Sequence, residues 1–223
     1  MIEPTQTVSD RPHRTQTERR QATRQALVEA ALLRIQAGEN FDTLSLRSLS
    51  KAAGVVPAAF YRHFDSLEDL GMALMDDSFR ALRAMLRDAR RRDPKEAIPA
   101  SISSLTEHVQ ANRPHFAFIA QARSSGSPRL RATYHAEIRL IVSELATDLA
   151  RFPHMSKWSA ADLQMVSSLI VNSMISTTEA ILETRENDVA GRTAIAKTAE
   201  HQLRLVMIGV PQWRSATATE DPA

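Results

Sequence analysis

Leu44-Ser45-Leu46-Arg47-Ser48-Leu49-Ser50-Lys51-Ala52-Ala53-Gly54-Val55-Val56-Pro57-Ala58-Ala59-Phe60-Tyr61-Arg62-His63-Phe64 is the stretch on which the reading of this chain turns. Ser45 is placed to cap a short helix, because its hydroxyl can accept one of the amide N–H groups left unpaired in a first turn. Across that segment, Leu46 to Ala53, the residues Leu46, Leu49 and Ala53 share one apolar face. Gly54 makes the turn. Pro57, whose fixed φ suits the start of a helix, opens a second segment through His63 in which Phe60 and Phe64 point inward at i and i+4. That segment is only about two turns long, and isolated helices under about 12–15 residues are marginal in water, so neighbours must hold it.

Upstream lies the first neighbour. From Glu18 to Ala37 apolar residues recur at Leu27, Val28, Ala31, Leu32 and Ile35, the stripe of an amphipathic helix, with Gly38 as its C-terminal cap and Phe41 as a core anchor beyond it. A longer helix backing two short ones joined by a glycine turn is a helix-turn-helix unit, which sets its second helix in the DNA major groove. The motifs Leu44-Ser45-Leu46-Arg47, Leu49, Ala53-Gly54-Val55 and Phe60-Tyr61-Arg62-His63-Phe64, then Leu67 and Leu70, resemble the N-terminal domain of the TetR family of bacterial repressors over about residues 20–72.

That resemblance implies an all-α fold: an N-terminal three-helix DNA-binding domain and a larger C-terminal helical domain for ligand binding and dimerisation. It implies double-stranded DNA as partner, read as a palindromic operator by a homodimer. Ser45, Tyr61 and His63 match phosphate-contacting positions, and Arg47 matches one that reaches a guanine. Tyr61 and His63 have an alternative as packing residues with wet polar tips. Arg62 is expected on the groove or the backbone. Pro57, Ala58 and Ala59 open the recognition helix, where the alanines suggest apolar contact with thymine methyls rather than polar reading. Arg19 and Arg20 belong to an Arg-rich run, Arg11 to Arg24, suited to phosphates or the minor groove. One departure stands out: many family members carry Lys at the start of the fourth helix, and Leu67 occupies that place here.

The expected organisation is a basic arm over 1–17, the DNA-binding domain over 18–66, a regulatory and dimerisation domain over 67–210 and a flexible tail over 211–223. Ser66 caps a long fourth helix, with Glu68 and Asp69 in its first turn and Leu67, Leu70, Leu74, Ala81, Met85 and Ala89 at helical spacing, up to Arg90-Arg91-Arg92 and the breaker Asp93-Pro94. Further helices are expected near 95–112, 114–124, 128–151, 160–185 and 190–209, punctuated by Pro114, Pro128, Pro153 and Gly191. The last two are apolar over broad surfaces, Leu163, Val166, Ile170, Met174, Ile175 and Ile181 in one and Ile195, Ala199, Leu203, Val206 and Met207 in the other; core packing within the chain explains part of this, and the rest suggests a homodimer closed as a four-helix bundle.

Composition narrows the classes. The 223 residues contain no Cys, which excludes disulfides, thiolate catalysis and cysteine-ligated zinc. The formal net charge is only +2, and it is uneven: residues 1–64 carry +3 and residues 93–223 carry −1. No apolar run approaches eighteen residues and the N-terminus lacks a signal-peptide core, so a cytoplasmic protein without a membrane segment is expected. No paired-His metal motif, phosphate loop or nucleophile elbow occurs, and the expectation is a regulator, not an enzyme, without metal or cofactor. A lipid-binding module that has lost DNA binding is the alternative from another class, and the retained Arg47, Tyr61, Arg62 and His63 argue against it.

Within the family the chain is similar to the FabR and DesT type, repressors of unsaturated fatty acid synthesis that sense acyl thioesters. That likeness rests on Ser45-Leu46-Arg47, Ala53-Gly54, Pro57, Phe60-Tyr61-Arg62-His63-Phe64 and Leu70-Gly71, then Asn112, Phe116, Arg123-Ser124 and Glu137-Ile138. It implies an acyl-CoA effector, which needs an apolar slot for its tail and cations for its phosphates. Phe116, Phe118, Ile119, Ile138, Val142, Val166, Ile170 and Met174 are the candidate lining, with Arg123, Arg129 or Arg131 at the mouth; plain core is the competing explanation for such a stripe. A repressor sensing a drug or an unrelated metabolite is the nearest rival.

Overall fold

The computed structural model describes residues 15–89, 97–185 and 187–215. Arg11, Arg14, the Arg90–Arg92 run, Asp93-Pro94 and the end of the expected tail therefore lie outside the described residues. The elements are α-helical: α1 (Gln16–Gln36), a 3₁₀ turn (Phe41–Thr43), α2 (Leu46–Ala52), α3 (Pro57–Phe60), α4 (Leu67–Ala89), α5 (Ala97–Ala111), α6 (Arg113–Ala122), α7 (Pro128–Leu149), α8 (Ala160–Glu183) and α9 (Val189–Gly209). Among the described residues there is no strand.

The helix ends explain themselves. Thr15 and Glu18 form a reciprocal capping box, the Thr15 hydroxyl accepting from the Glu18 N–H and the Glu18 carboxylate from the Thr15 N–H at 2.7 Å. This box starts α1 two residues inside the expected arm, and Arg19, Arg20 and Arg24 sit on the helix. At the other end Gly38, at φ +92°, closes the helix with paired bonds, Gly38 N–H to the Ile35 carbonyl and Glu39 N–H to that of Arg34. Gly54, at φ +67°, repeats the device after α2. Both positions need the left-handed region, which glycine enters without strain.

One core joins the two expected domains. Leu27, Val28, Ala31 and Ile35 of α1, Leu49 of α2, Phe60 and Phe64 around α3, and Leu70, Leu74 and Phe79 of α4 pack together with Phe118, Leu130 and Tyr134. Phe41 meets Phe118 edge to face at 5.2 Å. A Cβ at Gly71 would lie 2.9 Å from the Phe41 ring and 3.1 Å from Leu130, so any other residue there would push the Phe41 and Leu130 side chains out of their packed positions at this junction. Three smaller clusters lie in the body, around Leu149, Met155 and Val210, around Leu105, Val109 and Phe116, and around Ile102, Ala199 and Leu203.

Two expectations change. Residues 211–215 are not a loose tail: a 3₁₀ turn (Val210–Gln212) follows α9, and the Ser215 hydroxyl accepts the Ser159 N–H at 2.7 Å and donates to Asp162 at 2.5 Å, tying this segment to the start of α8. α8 itself is long and apolar enough to cross a membrane, with a mean hydropathy of 1.3 over an 18-residue window. Counting unbroken apolar runs misses this, because single Ser, Thr, Asn and Gln residues interrupt the run without lowering its mean much. The helix packs between α7 and α9, yet only 28% of that window is buried.

Candidate nucleic-acid interface and its regulatory body

The helix-turn-helix places small, precise side chains on a rigid unit. Ser45 caps α2, its Oγ accepting the Ser48 N–H at 3.2 Å. This use of the oxygen leaves the hydroxyl proton free to donate to a phosphate. Arg47, one residue into α2, is exposed, while Leu49 on the opposite face is fully buried. The end of α3 follows the same division: Phe60 is buried, and Tyr61 and Arg62 are exposed. Tyr61 stands against Phe60 edge to face at 5.7 Å, so its ring is braced while 61% of the residue faces solvent. Pro57 and Ala58 are exposed and Ala59 is half-buried.

Val56, which sequence reasoning passes over, is 67% exposed beside them. It extends the apolar, methyl-bearing edge of the recognition helix. A valine out in water is the signal that marks it, and only the fold reveals that exposure.

α1 adds cations to this surface. Arg20 reaches the carbonyl of Arg62 at 3.5 Å, and the Arg24 guanidinium lies over the Phe64 ring at 5.2 Å. His63 is half-buried between them. Burial first, then the charges of Arg20, Arg24 and Arg62, hold its pKa below the usual histidine value. The imidazole therefore favours its neutral form until an anion arrives, whereupon phosphate would offset the arginine repulsion. Arg19, on the same helix, is fully outward. Thus Ser45, Arg47, Tyr61, Arg62, His63 and Arg20 belong to one compact unit, with Arg24 as a member the sequence shows only as part of a basic run.

The candidate effector residues are not brought together in the same way. Phe118 is fully buried in the junction against Phe41, so it holds the two domains together rather than lining a slot. Phe116 packs with Met85, Leu105, Val109 and Ile181. Val166 belongs to the separate cluster of Leu149, Met155 and Leu163, whereas Ile138 and Val142 pack on the main core. Of these candidates, Ile170 and Met174 pack between two clusters. Helical periodicity identifies a buried face but not which neighbour it meets, and that is why a single slot overdraws the arrangement.

The arginines expected at a mouth are engaged elsewhere. Arg123 pairs with Glu179 of α8 at 2.9 Å, and both are substantially exposed. Arg129 donates to Asp69 at 2.9 Å, and it raises its own pKa by doing so. Asp69 is held below its ordinary value by the Ser66 hydroxyl and by Arg129. Arg131 donates to the Ser125 carbonyl. Arg113 is unanticipated: its guanidinium donates to the carbonyls of Ile181, Leu182 and Thr184, which closes the C-terminal end of α8 and pins it to α6.

Residues 27–74 match the family described as "Bacterial regulatory proteins, tetR family". Among solved structures the chain is similar to a TetR-family transcriptional regulator from Streptomyces coelicolor, with 19% identity, 86% of this chain and 97% of that one covered, and a TM-score of 0.67. It is similar to the regulator FadR from Bacillus subtilis in complex with stearoyl-CoA at 15% identity, covering 83% and 98%, with a TM-score of 0.62. A third, the fatty acid degradation regulator FadR from Bacillus halodurans, has 13% identity, 85% and 99% coverage and a TM-score of 0.62. At such identities the likeness is one of fold. The family match thus covers the N-terminal segment, and the fold of the described residues is the one these TetR-family regulators share.

Proposed function

We propose that the protein is a homodimeric repressor that binds a palindromic operator and responds to an acyl-CoA or a related acyl thioester. The observation that carries the DNA-binding part is the grouping of exposed Arg47, Tyr61 and Arg62 with Arg20 and half-buried His63 on one capped, rigid unit. In this reading Ser45, Tyr61 and His63 donate to phosphates, Arg47 reads a guanine edge, and Val56, Pro57, Ala58 and Ala59 present methyls to thymine. Arg19, Arg20 and Arg24 supply charge in place of the lysine that Leu67 replaces.

Dimerisation is supported by α8 and α9. Part of the broad apolar surface of these helices is core, with Leu163, Ala199 and Leu203 buried within the chain. A second stripe remains uncovered: Met165 and Leu169 on α8, Leu205 and Ile208 on α9, from 41% to 73% exposed. Two such helix pairs meeting across a two-fold axis make a four-helix bundle and remove that apolar surface from water.

The acyl-CoA part draws support from the resemblance of the sequence and from the FadR structures, one of which was solved with stearoyl-CoA. Ile170 and Met174, half-buried between clusters, are where α5, α8 and α9 would part for a tail. Arg123 would exchange Glu179 for a phosphate. The test is operator binding by the purified dimer at fixed salt, titrated separately with palmitoyl-CoA and oleoyl-CoA. Opposite shifts in affinity support a sensor of acyl-chain shape; indifference to both leaves a TetR-family repressor with another effector; and equal binding to operator and random DNA removes the repressor reading.

A further inference from the structure

The segment from Gln121 to Arg129, spanning the end of α6, the following loop and the start of α7, grips the DNA-binding unit at one place and, at another, the first turn of α4, where that unit joins the body. At its entrance, Gln121 uses both ends of one amide: its oxygen accepts the Phe41 N–H at 2.9 Å and its nitrogen donates to the Glu39 carbonyl at 3.0 Å. Asp42 gives each carboxylate oxygen its own donor, Ser125 Oγ at 2.7 Å and the Gly126 N–H at 2.6 Å. Both attachment points stand just ahead of the Ser45 cap. At its exit, Ser127 donates to Glu68 at 2.6 Å and Arg129 to Asp69 at 2.9 Å, in the first turn of α4.

Apolar contact such as Phe41 on Phe118 resists separation but tolerates sliding and small rotation. Hydrogen bonds are directional, those to a carboxylate are the stronger kind, and two grips at separate points fix a rotation that one would leave free. In a dimer the orientation of each head on its body determines where the two recognition helices fall along the duplex. One inserted base pair turns a half-site by about 35°, since 10–10.5 base pairs make a helical turn. We infer that this double grip sets the half-site spacing that the dimer accepts, so Asp42, Gln121 and Ser125 are positioning residues for operator choice although none belongs to the surface proposed to touch DNA. The inference rests on the operator-binding reading above.

The test begins with an operator selected by the full-length wild type from random duplexes. Affinity is then measured on that operator, on versions with one base pair added or removed between half-sites, and on a single half-site. The wild type is expected to lose about tenfold or more per base pair of misspacing, the scale of a lost charge-assisted contact. Asp42→Asn, and the charge-neutral pair Gln121→Met with Ser125→Ala, are expected to shrink that penalty to within about threefold while single half-site affinity stays within about twofold. The half-site measurement reports whether the head is folded; Ser125→Ala alone, which removes one hydroxyl, serves if the pair does not fold. Variants that bind the half-site normally and keep the wild-type penalty overturn the inference. A wild type that selects no sequence overturns the operator reading and the inference with it, a distinguishable failure.

Discussion

The head and the body of this molecule are built from the same helices and apolar residues, yet they differ in how tightly sequence constrains chemistry. In the head, four-residue α3 can exist only if Pro57 starts it, Phe60 anchors it and α1 backs it, so each position has one job. The outward residues are then not needed for packing. In the body, helices of ten to twenty-four residues present apolar faces to several neighbours at once, and a Phe or Ile there serves packing and ligand lining equally well.

The strongest way to break this division is to ask whether head and body are separate units at all. The shared core runs from Leu27 and Phe60 to Phe118 and Tyr134. Phe60→Ala is therefore expected to cost about 3–5 kcal/mol, the usual range for a buried Phe, and to lower one cooperative unfolding transition. A calorimetric scan that resolves two transitions, only one of them shifted, would show that the head folds alone.

Next in size is the uncovered stripe on the body. Leu169→Arg with Ile208→Glu replaces apolar surface that is already in water, so the monomer should keep its helicity while sedimentation shifts from dimer to monomer. Loss of the second half-site contact then weakens operator binding about 100-fold or more, by the arithmetic of effective concentration. A variant that remains dimeric would move the interface elsewhere.

Within the head, two substitutions separate reading from anchoring. Arg47→Ala should cost about 1–3 kcal/mol on the operator and little on random DNA, because a base contact is lost. Tyr61→Phe removes one hydroxyl donor and should cost about 0.5–1.5 kcal/mol on both alike. Competition titrations on the two DNAs would decide it, and equal losses for Arg47 would reassign it to the backbone.

The uneven legibility has a physical origin. Caps, turns and short-helix anchors are local, so Ser45, Gly38, Gly54 and Pro57 can be read from their neighbours, and the Thr15–Glu18 capping box is equally local though easily overlooked in a polar arm. The grip of Gln121 on Phe41 and Glu39, and of Ser125 on Asp42, joins residues about eighty positions apart through single hydrogen bonds. No periodicity encodes such a pairing. The uncovered stripe escapes prediction for a related reason: α8 is apolar on more than one face, and sequence alone does not say which face its own chain covers.

The smallest predicted effect is also the one that compares head and body most directly, because each holds a histidine whose pKa is lowered. His63 is lowered by burial and then by Arg20, Arg24 and Arg62; His115, whose Nδ1 lies 3.0 Å from the buried Ser78 hydroxyl, is lowered by burial against an opposing pull from Asp77. In both, the folded state disfavours the proton, so their contribution to stability is present above the unfolded value of 6.5 and is lost as pH falls through it toward the folded value. DNA binding separates them. A phosphate beside His63 favours its protonated form, so operator affinity should rise as pH falls from 8 to 6, by less than about tenfold, the factor that would follow if the imidazole pKa differed by one between free and bound protein. His63→Gln should flatten that rise, whereas His115→Gln should leave it intact and instead reduce the acid loss of thermal stability. A pH dependence of binding that survives His63→Gln would remove the imidazole from the phosphate contact and return it to the core of the head.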